Sequence, residues 1–293
     1  SAEVLEKRGL TTLEQIAAST PQLVIGRAAA GSGASMVMRG IGSNSSSVSI
    51  EQSIAVIVDG AYYGQGRIIN EGFFDLERAE IPQALFFGKN ATAGVISLTT
   101  KSPSSEPEFL ARAGYEFRSQ DVSLEAIASG PISDTLGARL AVMGSKMFGG
   151  YFTNRAGDLS PTTYTTTNNV SGVSTVHQLV PGERDTPQTE QLLARLTLQW
   201  EPGDRFTANV KVSGNINDSN NPAWNWVPFS CPTGTSARNP EVPCERKFNV
   251  YNAAFDEEIA GPTRYTNDGD LYNKYRAFQT TTNLEYLGFV DKA

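Results

Sequence analysis

Residues 82–101 read Pro-Gln-Ala-Leu-Phe-Phe-Gly-Lys-Asn-Ala-Thr-Ala-Gly-Val-Ile-Ser-Leu-Thr-Thr-Lys, and their order constrains the fold more than composition does. Gly88-Lys89-Asn90 is turn-forming, and Ala91-Thr92-Ala93-Gly94 is a kink of small residues. Val95-Ile96-Ser97-Leu98-Thr99-Thr100 then predicts a β-branched strand with no charge before Lys101. Upstream, Ile54-Ala55-Val56-Ile57-Val58 is apolar enough for a strand buried on both faces, and Ser35 to Arg39 reads as another. Thr11-Thr12-Leu13-Glu14 has the spacing of a capping box, Leu13, Ile16 and Ala17 share one helical face, and Pro21 is a stop. These elements predict a small mixed α/β domain over residues 1–103, ended by Pro103-Ser104-Ser105-Glu106-Pro107, which cannot continue a ladder.

Beyond the prolines the period becomes two. Ala194, Leu196, Leu198 and Trp200 alternate with Arg195, Thr197 and Gln199, and Phe206, Ala208, Val210 and Val212 alternate with Thr207, Asn209, Lys211 and Ser213. Strands are expected at 108–118, 121–131, 136–149, 190–201, 204–215 and 276–290, with long loops at 153–189 and 216–275. The tight Glu201-Pro202-Gly203-Asp204 connection set against such loops is the asymmetry of a transmembrane β-barrel, and Phe117, Trp200, Phe206 and Phe289 are placed for interfacial girdles. No run approaches the ~18 apolar residues of a spanning helix, so a membrane location requires strands.

The run 82–101, with Met38-Arg39-Gly40-Ile41-Gly42-Ser43 and Ile57-Val58-Asp59-Gly60-Ala61-Tyr62-Tyr63-Gly64 before it in the same order, resembles the plug domain of TonB-dependent outer-membrane receptors. The resemblance implies an α/β plug at 1–103 and, at 108–293, the N-terminal part of an antiparallel transmembrane β-barrel of about 22 strands. Six expected strands cannot close such a barrel, and Ala293 is not its terminal aromatic, so the sequence reads as the N-terminal part of a longer protein. Ile81 abuts Pro82 where the family carries further residues, either a deletion or a gap closed by renumbering. The sequence opens at Ser1-Ala2-Glu3-Val4 with no basic n-region and apolar h-region, so any signal peptide has been removed or left out, and the resemblance puts the coupling segment before Ser1.

The chain is acidic, with 31 Asp plus Glu against 24 Lys plus Arg and a mean hydropathy of −0.28, which argues against a nucleic-acid footprint. No phosphate-binding loop, metal-type Cys spacing or nucleophile–base set emerges, and neither catalysis nor a cofactor is expected. His177 is read as solvated in a loop, and Asp256-Glu257-Glu258 as a solvated face. Cys231 and Cys244 flank a Pro- and Gly-rich segment; a disulfide there implies an oxidising compartment, unlinked thiols a cytosolic one, and the pairing is favoured.

Binding candidates are Asn44, Ser45, Tyr62, Tyr63, Gln65 and Arg67 in two plug loops, with Trp224, Trp226, Arg264 and Tyr265 in the external loops. The resemblance makes Arg39 a plug–barrel lock whose carboxylate partner lies beyond this chain. It implies import of a scarce solute (siderophore, cobalamin, oligosaccharide or aromatic compound) across a Gram-negative outer membrane. It also implies that work comes from TonB with ExbB and ExbD, and that lipid and lipopolysaccharide surround the barrel. A signalling receptor, a passive porin and a hydrolase on a β scaffold are the rival readings.

Overall fold

The computed structural model describes residues 7–8, 10, 12–27, 33–42, 52–64, 67–68, 71–81, 93–220, 232–236, 239–244, 248–256, 260, 269 and 272–288. The first element, α1 (Leu13–Ala18), buries Leu13, Ile16 and Ala17 as their spacing requires. Its capping box sits one residue later than expected. Thr12 is the N-cap: its hydroxyl accepts from the Gln15 amide at 3.3 Å, and the Gln15 side chain accepts from the Thr12 amide at 3.1 Å. Starting the helix at Leu13 puts Gln15, not Glu14, at the third helical position, where an amide oxygen serves as well as a carboxylate.

Strands β1 (Leu23–Arg27), β2 (Ala34–Met38) and β3 (Ile41–Gly42) form one antiparallel sheet. A second, mixed sheet has the order β5-β4-β7-β6, with β4 (Ile54–Val58), β5 (Ala61–Tyr63), β6 (Leu76–Glu80) and β7 (Gly94–Thr100). Here β4 and β7 run parallel, while β5 and β6 are antiparallel to their neighbours. Both sheets are punctuated by the same device. Arg39-Gly40 and Asp59-Gly60 are two-residue hairpins with positive φ at both positions (53° and 81°; 50° and 85°), the twist-matched turn that demands glycine second. Two of the motifs that carry the family resemblance therefore contain tight hairpins. Leu13, Met36, Val56, Ile96 and Leu98 meet in the core between the sheets, and Ala55 and Val95 pack on the other face of β4 and β7.

From Glu108 the chain forms a six-stranded antiparallel meander: β8 (Glu108–Glu116), β9 (Asp121–Ser133), β10 (Leu136–Met147), β16 (Gln188–Gly203), β17 (Phe206–Asn220) and β20 (Tyr272–Tyr286). All six expected strands are present. β17 and β20 are 15 residues long, more than the ~9–11 a tilted strand needs to cross hydrocarbon. The excess carries no apolar alternation after Ile216, which is why it read as loop. Among the described residues β8 and β20 are free edges, so this sheet is a segment of wall and not a closed barrel.

Its two faces are inverted relative to a soluble sheet. Phe109, Ala128, Leu140, Leu196, Val212 and Thr280 lie in one cross-strand row on one face. Glu108, Ser129, Arg139, Thr197, Lys211 and Thr281 lie in the adjacent row on the other. Phe109 and Phe278 are 83% and 78% exposed, whereas Arg139 and Arg195 are only 2% and 8% exposed. Large apolar side chains outside and charges inside suit lipid on one side and a polar lumen on the other. Across the tight turn after β16, Trp200 and Phe206 pack edge to face at 5.7 Å, and Tyr115 and Phe117 do so at 5.0 Å near the opposite end.

The two expected long loops contain short strands of their own: β11 (Phe152–Asn154), β12 (Thr163–Thr167), β13 (Ser174–Gln178), β14 (Val180–Pro181), β15 (Asp185–Thr186), β18 (Asn249–Val250) and β19 (Ala253–Ala254). β11 pairs with β15 and β18, and β14 with β19, so the loop after β10 is stitched to the loop after β17. Buried Asn154 closes this junction through both side-chain atoms, donating to the Asn252 carbonyl at 2.8 Å and accepting from its amide at 3.0 Å.

Candidate functional site

The site is the seam where the plug meets the inner face of the six-stranded wall. The Asp59-Gly60 hairpin puts a carboxylate at the end of β4, beside Thr100, the last residue of β7. Asp59 Oδ1 accepts from the Thr100 amide at 2.9 Å and Oδ2 from the Thr100 hydroxyl at 2.8 Å. Lys211, pointing inward from β17, donates to Asp59 Oδ1 at 2.7 Å, to the Thr100 carbonyl at 3.0 Å and to its Oγ1 at 2.8 Å. An ammonium has three donors and here finds three acceptors, which is what makes its burial tolerable.

A second anchor lies in the same wall row. Arg139 grips Asp75 with two bonds, Nε to Oδ2 at 2.7 Å and Nη2 to Oδ1 at 2.6 Å, and gives Nη1 to Glu108 at 2.9 Å. The planar guanidinium matches the carboxylate in a two-point fork, and the side chains of Arg139 and Asp75 are 3% and 2% exposed. Asp75 is itself held in a left-handed conformation, φ 54°, with its carbonyl taking the Lys101 amide at 3.1 Å.

Between these anchors, Phe74 enters a small apolar patch of the wall made by Ile127, Ala141, Met143 and Leu193. Arg195 lies 5.3 Å from the Phe74 ring centroid and donates to the Phe74 carbonyl at 3.2 Å. Arg195, Asp59, Glu71, Lys211 and Asn215 line a cavity of about 20 Å³ at the seam. Burial pushes the Glu71 carboxyl up from 4.5 to about 7, opposed by the positive charge of Arg195. The Tyr63 phenol hydrogen-bonds Gln279 on β20, and burial raises it well above the usual phenol range, helped by the charge of Glu71.

The sequence-derived candidates distribute unevenly over this geometry. Tyr63 is partly buried and tied to the wall, whereas its neighbour Tyr62 is 48% exposed. Arg67 is exposed, and the field at Tyr275 on β20 includes its charge. Asn44, Ser45, Gln65, Trp224, Trp226, Arg264, Tyr265 and Cys231 lie outside the described residues, as do Pro82 to Asn90 of the opening motif. Cys244 is disulfide-bonded. Arg39 occupies an exposed hairpin turn, its amide bonded to the Gln22 carbonyl at 3.0 Å; among the described residues, Asp75 with Arg139 and Asp59 with Lys211 are ion pairs that join plug to wall. His177 is not simply solvated: it stacks on Tyr164 at 5.0 Å and shares a 2.7 Å hydrogen bond with Thr166.

Sequence reasoning did not single out Asp59, Glu71, Asp75, Arg139, Arg195 or Lys211. A signal was present in the wall. Arg139, Arg195 and Lys211 fall on the polar side of strands whose other side is apolar, and basic residues facing a lumen require acids opposite them. The acids come from plug turns, where an Asp is equally expected for its backbone conformation alone.

A compact α/β unit clamped by buried ion pairs against a charged-inside, apolar-outside meander has the architecture of a plug seated on a segment of barrel wall. Residues 1–95 match the TonB-dependent Receptor Plug Domain, and the six-stranded wall follows that domain in the chain. The structure is similar to the ferric yersiniabactin uptake receptor FyuA from Yersinia pestis, with 21% identity and a TM-score of 0.59 over 74% of this chain and 31% of that one. It is also similar to P. aeruginosa FpvA bound to heterologous pyoverdines, with 15% identity and a TM-score of 0.64 over 99% of this chain and 31% of that one. FpvAI in its complex with pyocin S2 gives 14% identity and a TM-score of 0.64 over 99% and 30%. At these identities the likeness is one of fold, and the chain spans only about 30–31% of those receptors.

Proposed function

We propose that this chain is the plug and first wall strands of an outer-membrane active transporter that imports a scarce solute, with a ferric siderophore as the leading substrate class. One observation carries the reading: plug acids Asp59 and Asp75 are clamped to Lys211 and Arg139 on the inner face of a sheet whose outer face is apolar. A plug held by buried ion pairs blocks a lumen until work is done on it. An outer membrane has no nucleotide pool, so that work comes mechanically from TonB, driven by ExbB and ExbD, while lipid and lipopolysaccharide contact the outer face. The siderophore assignment draws support from two of the similar structures, a ferric yersiniabactin uptake receptor and a receptor bound to pyoverdines. Cobalamin, oligosaccharides and aromatic compounds are the other classes a plugged barrel suits. The buried charges at the seam hold plug to wall, and we assign the protein no catalytic step.

The test is uptake of an iron-labelled siderophore panel, with cobalamin and oligosaccharides alongside, by cells carrying the full-length gene. Uptake of at least one compound should disappear both on deleting the gene and on deleting TonB. Uptake that survives loss of TonB would point to a passive pore and overturn the proposal.

A further inference from the structure

Glu71 is the acid at the seam that pairing does not account for. Asp59 and Asp75 each receive a cation within 2.7 Å, but Oε2 of Glu71 is buried and meets no hydrogen-bond donor among the described residues. The nearby guanidinium of Arg195 donates to the Phe74 carbonyl and lies against the Phe74 ring. Glu71 borders the small cavity at the seam, about 20 Å³ in volume. An isolated buried carboxylate is costly, and the usual relief is to take up a proton.

We propose that Glu71 is a proton-operated latch of the plug: in acid its carboxyl holds a proton while the plug is seated against the wall and gives that proton to water when the seam opens. The step balances as a carboxylic acid and a water becoming a carboxylate and a hydronium ion. The groups that face Glu71 across the seam are Arg195, Lys211 and Tyr275 on the wall, with Asp59, Tyr63 and Arg67 on the plug. Lys211 is saturated by Asp59 and Thr100, and the positive charge of Arg195, which forms no ion pair among the described residues, moderates the effect without abolishing it.

The sign follows from linkage. The seated carboxyl titrates at about 7 and the released one at 4.5, so the seated state binds the extra proton. Seating is therefore tightest in acid, weakens as pH rises from about 4.5 to about 7, and is constant above that. For one proton the unseating equilibrium rises about 70-fold between pH 5 and pH 8.

The inference rests on the plug being seated in a complete barrel, so the test uses the full-length receptor. A Ser19→Cys variant with an environment-sensitive dye reports plug unseating in urea at pH 5 and pH 8, with and without Glu71→Gln. Glu71→Gln should seat as the parent does at pH 5 and lose the 70-fold pH-linked weakening. Equal pH dependence in both would overturn the latch. An infrared titration of the wild-type protein needs no variant: a protonated-carboxyl band should fade around pH 7, and its absence at pH 5 would overturn the latch independently. A plug freely released by protease at every pH would instead remove the seated barrel on which the functional reading also depends.

Discussion

Asp75→Ala is the sharpest test of the seam. It deletes two charge-assisted hydrogen bonds, at 2.7 and 2.6 Å, and leaves a guanidinium 3% exposed with only Glu108 at 2.9 Å. Bonds of this kind contribute about 1.5–3 kcal/mol each, and breaking a buried pair from one side costs about 3–5 kcal/mol. The Glu108 side chain is 39% exposed and can follow the guanidinium, which places the expected loss toward the lower limit, about 3 kcal/mol. With a urea slope of about 2 kcal/mol per molar, the midpoint for plug unseating in the full-length receptor should fall by about 1.5 M. The companion Arg139→Met removes the charge that Asp75 would leave stranded. Asp75→Ala with Arg139→Met should therefore cost at least about 2 kcal/mol less than the two single losses added together. A single-variant loss below about 0.5 kcal/mol, or strict additivity in the cycle, would mean that this fork does not hold plug to wall.

Lys211→Met should also loosen the plug, by about 3 kcal/mol, because Asp59 stays buried with only Thr100 to bond, and increased entry of a large antibiotic into cells expressing the variant receptor would report it. Leu196→Arg, in the apolar row, should cost the barrel about 2–4 kcal/mol in a bilayer, whereas Gln199→Arg on the opposite face should change it by less than about 0.5 kcal/mol; equal losses in bilayer refolding would refute the assignment of faces. Gly60→Ala meets open space around its new Cβ, so only its φ of 85° is strained, and a loss of about 1–2 kcal/mol in plug unfolding is expected. Non-reducing mass spectrometry of freshly prepared receptor should find Cys244 linked to Cys231, and two free thiols would refute that pairing.

Period and local conformation are readable in the chain without its fold. The 3.6-residue face of Leu13, Ile16 and Ala17, the glycines at 40 and 60 that permit positive φ, and the strict alternation from Ala194 to Val212 each follow from near neighbours in the chain. The alternation even separates the lipid side from the lumen side, since a one-residue slip would exchange them. The capping box was legible to within one residue, because Thr11 and Thr12 offer the same hydroxyl and only the helix start distinguishes them. Tertiary structure alone decided which charges meet. Asp75 and Arg139 are 64 residues apart and Asp59 and Lys211 are 152 apart, and no local rule links a plug turn to a particular inward position on a strand. The same is true of Glu71, whose character comes from the wall that covers it: a glutamate in a loop is solvated until another element excludes water.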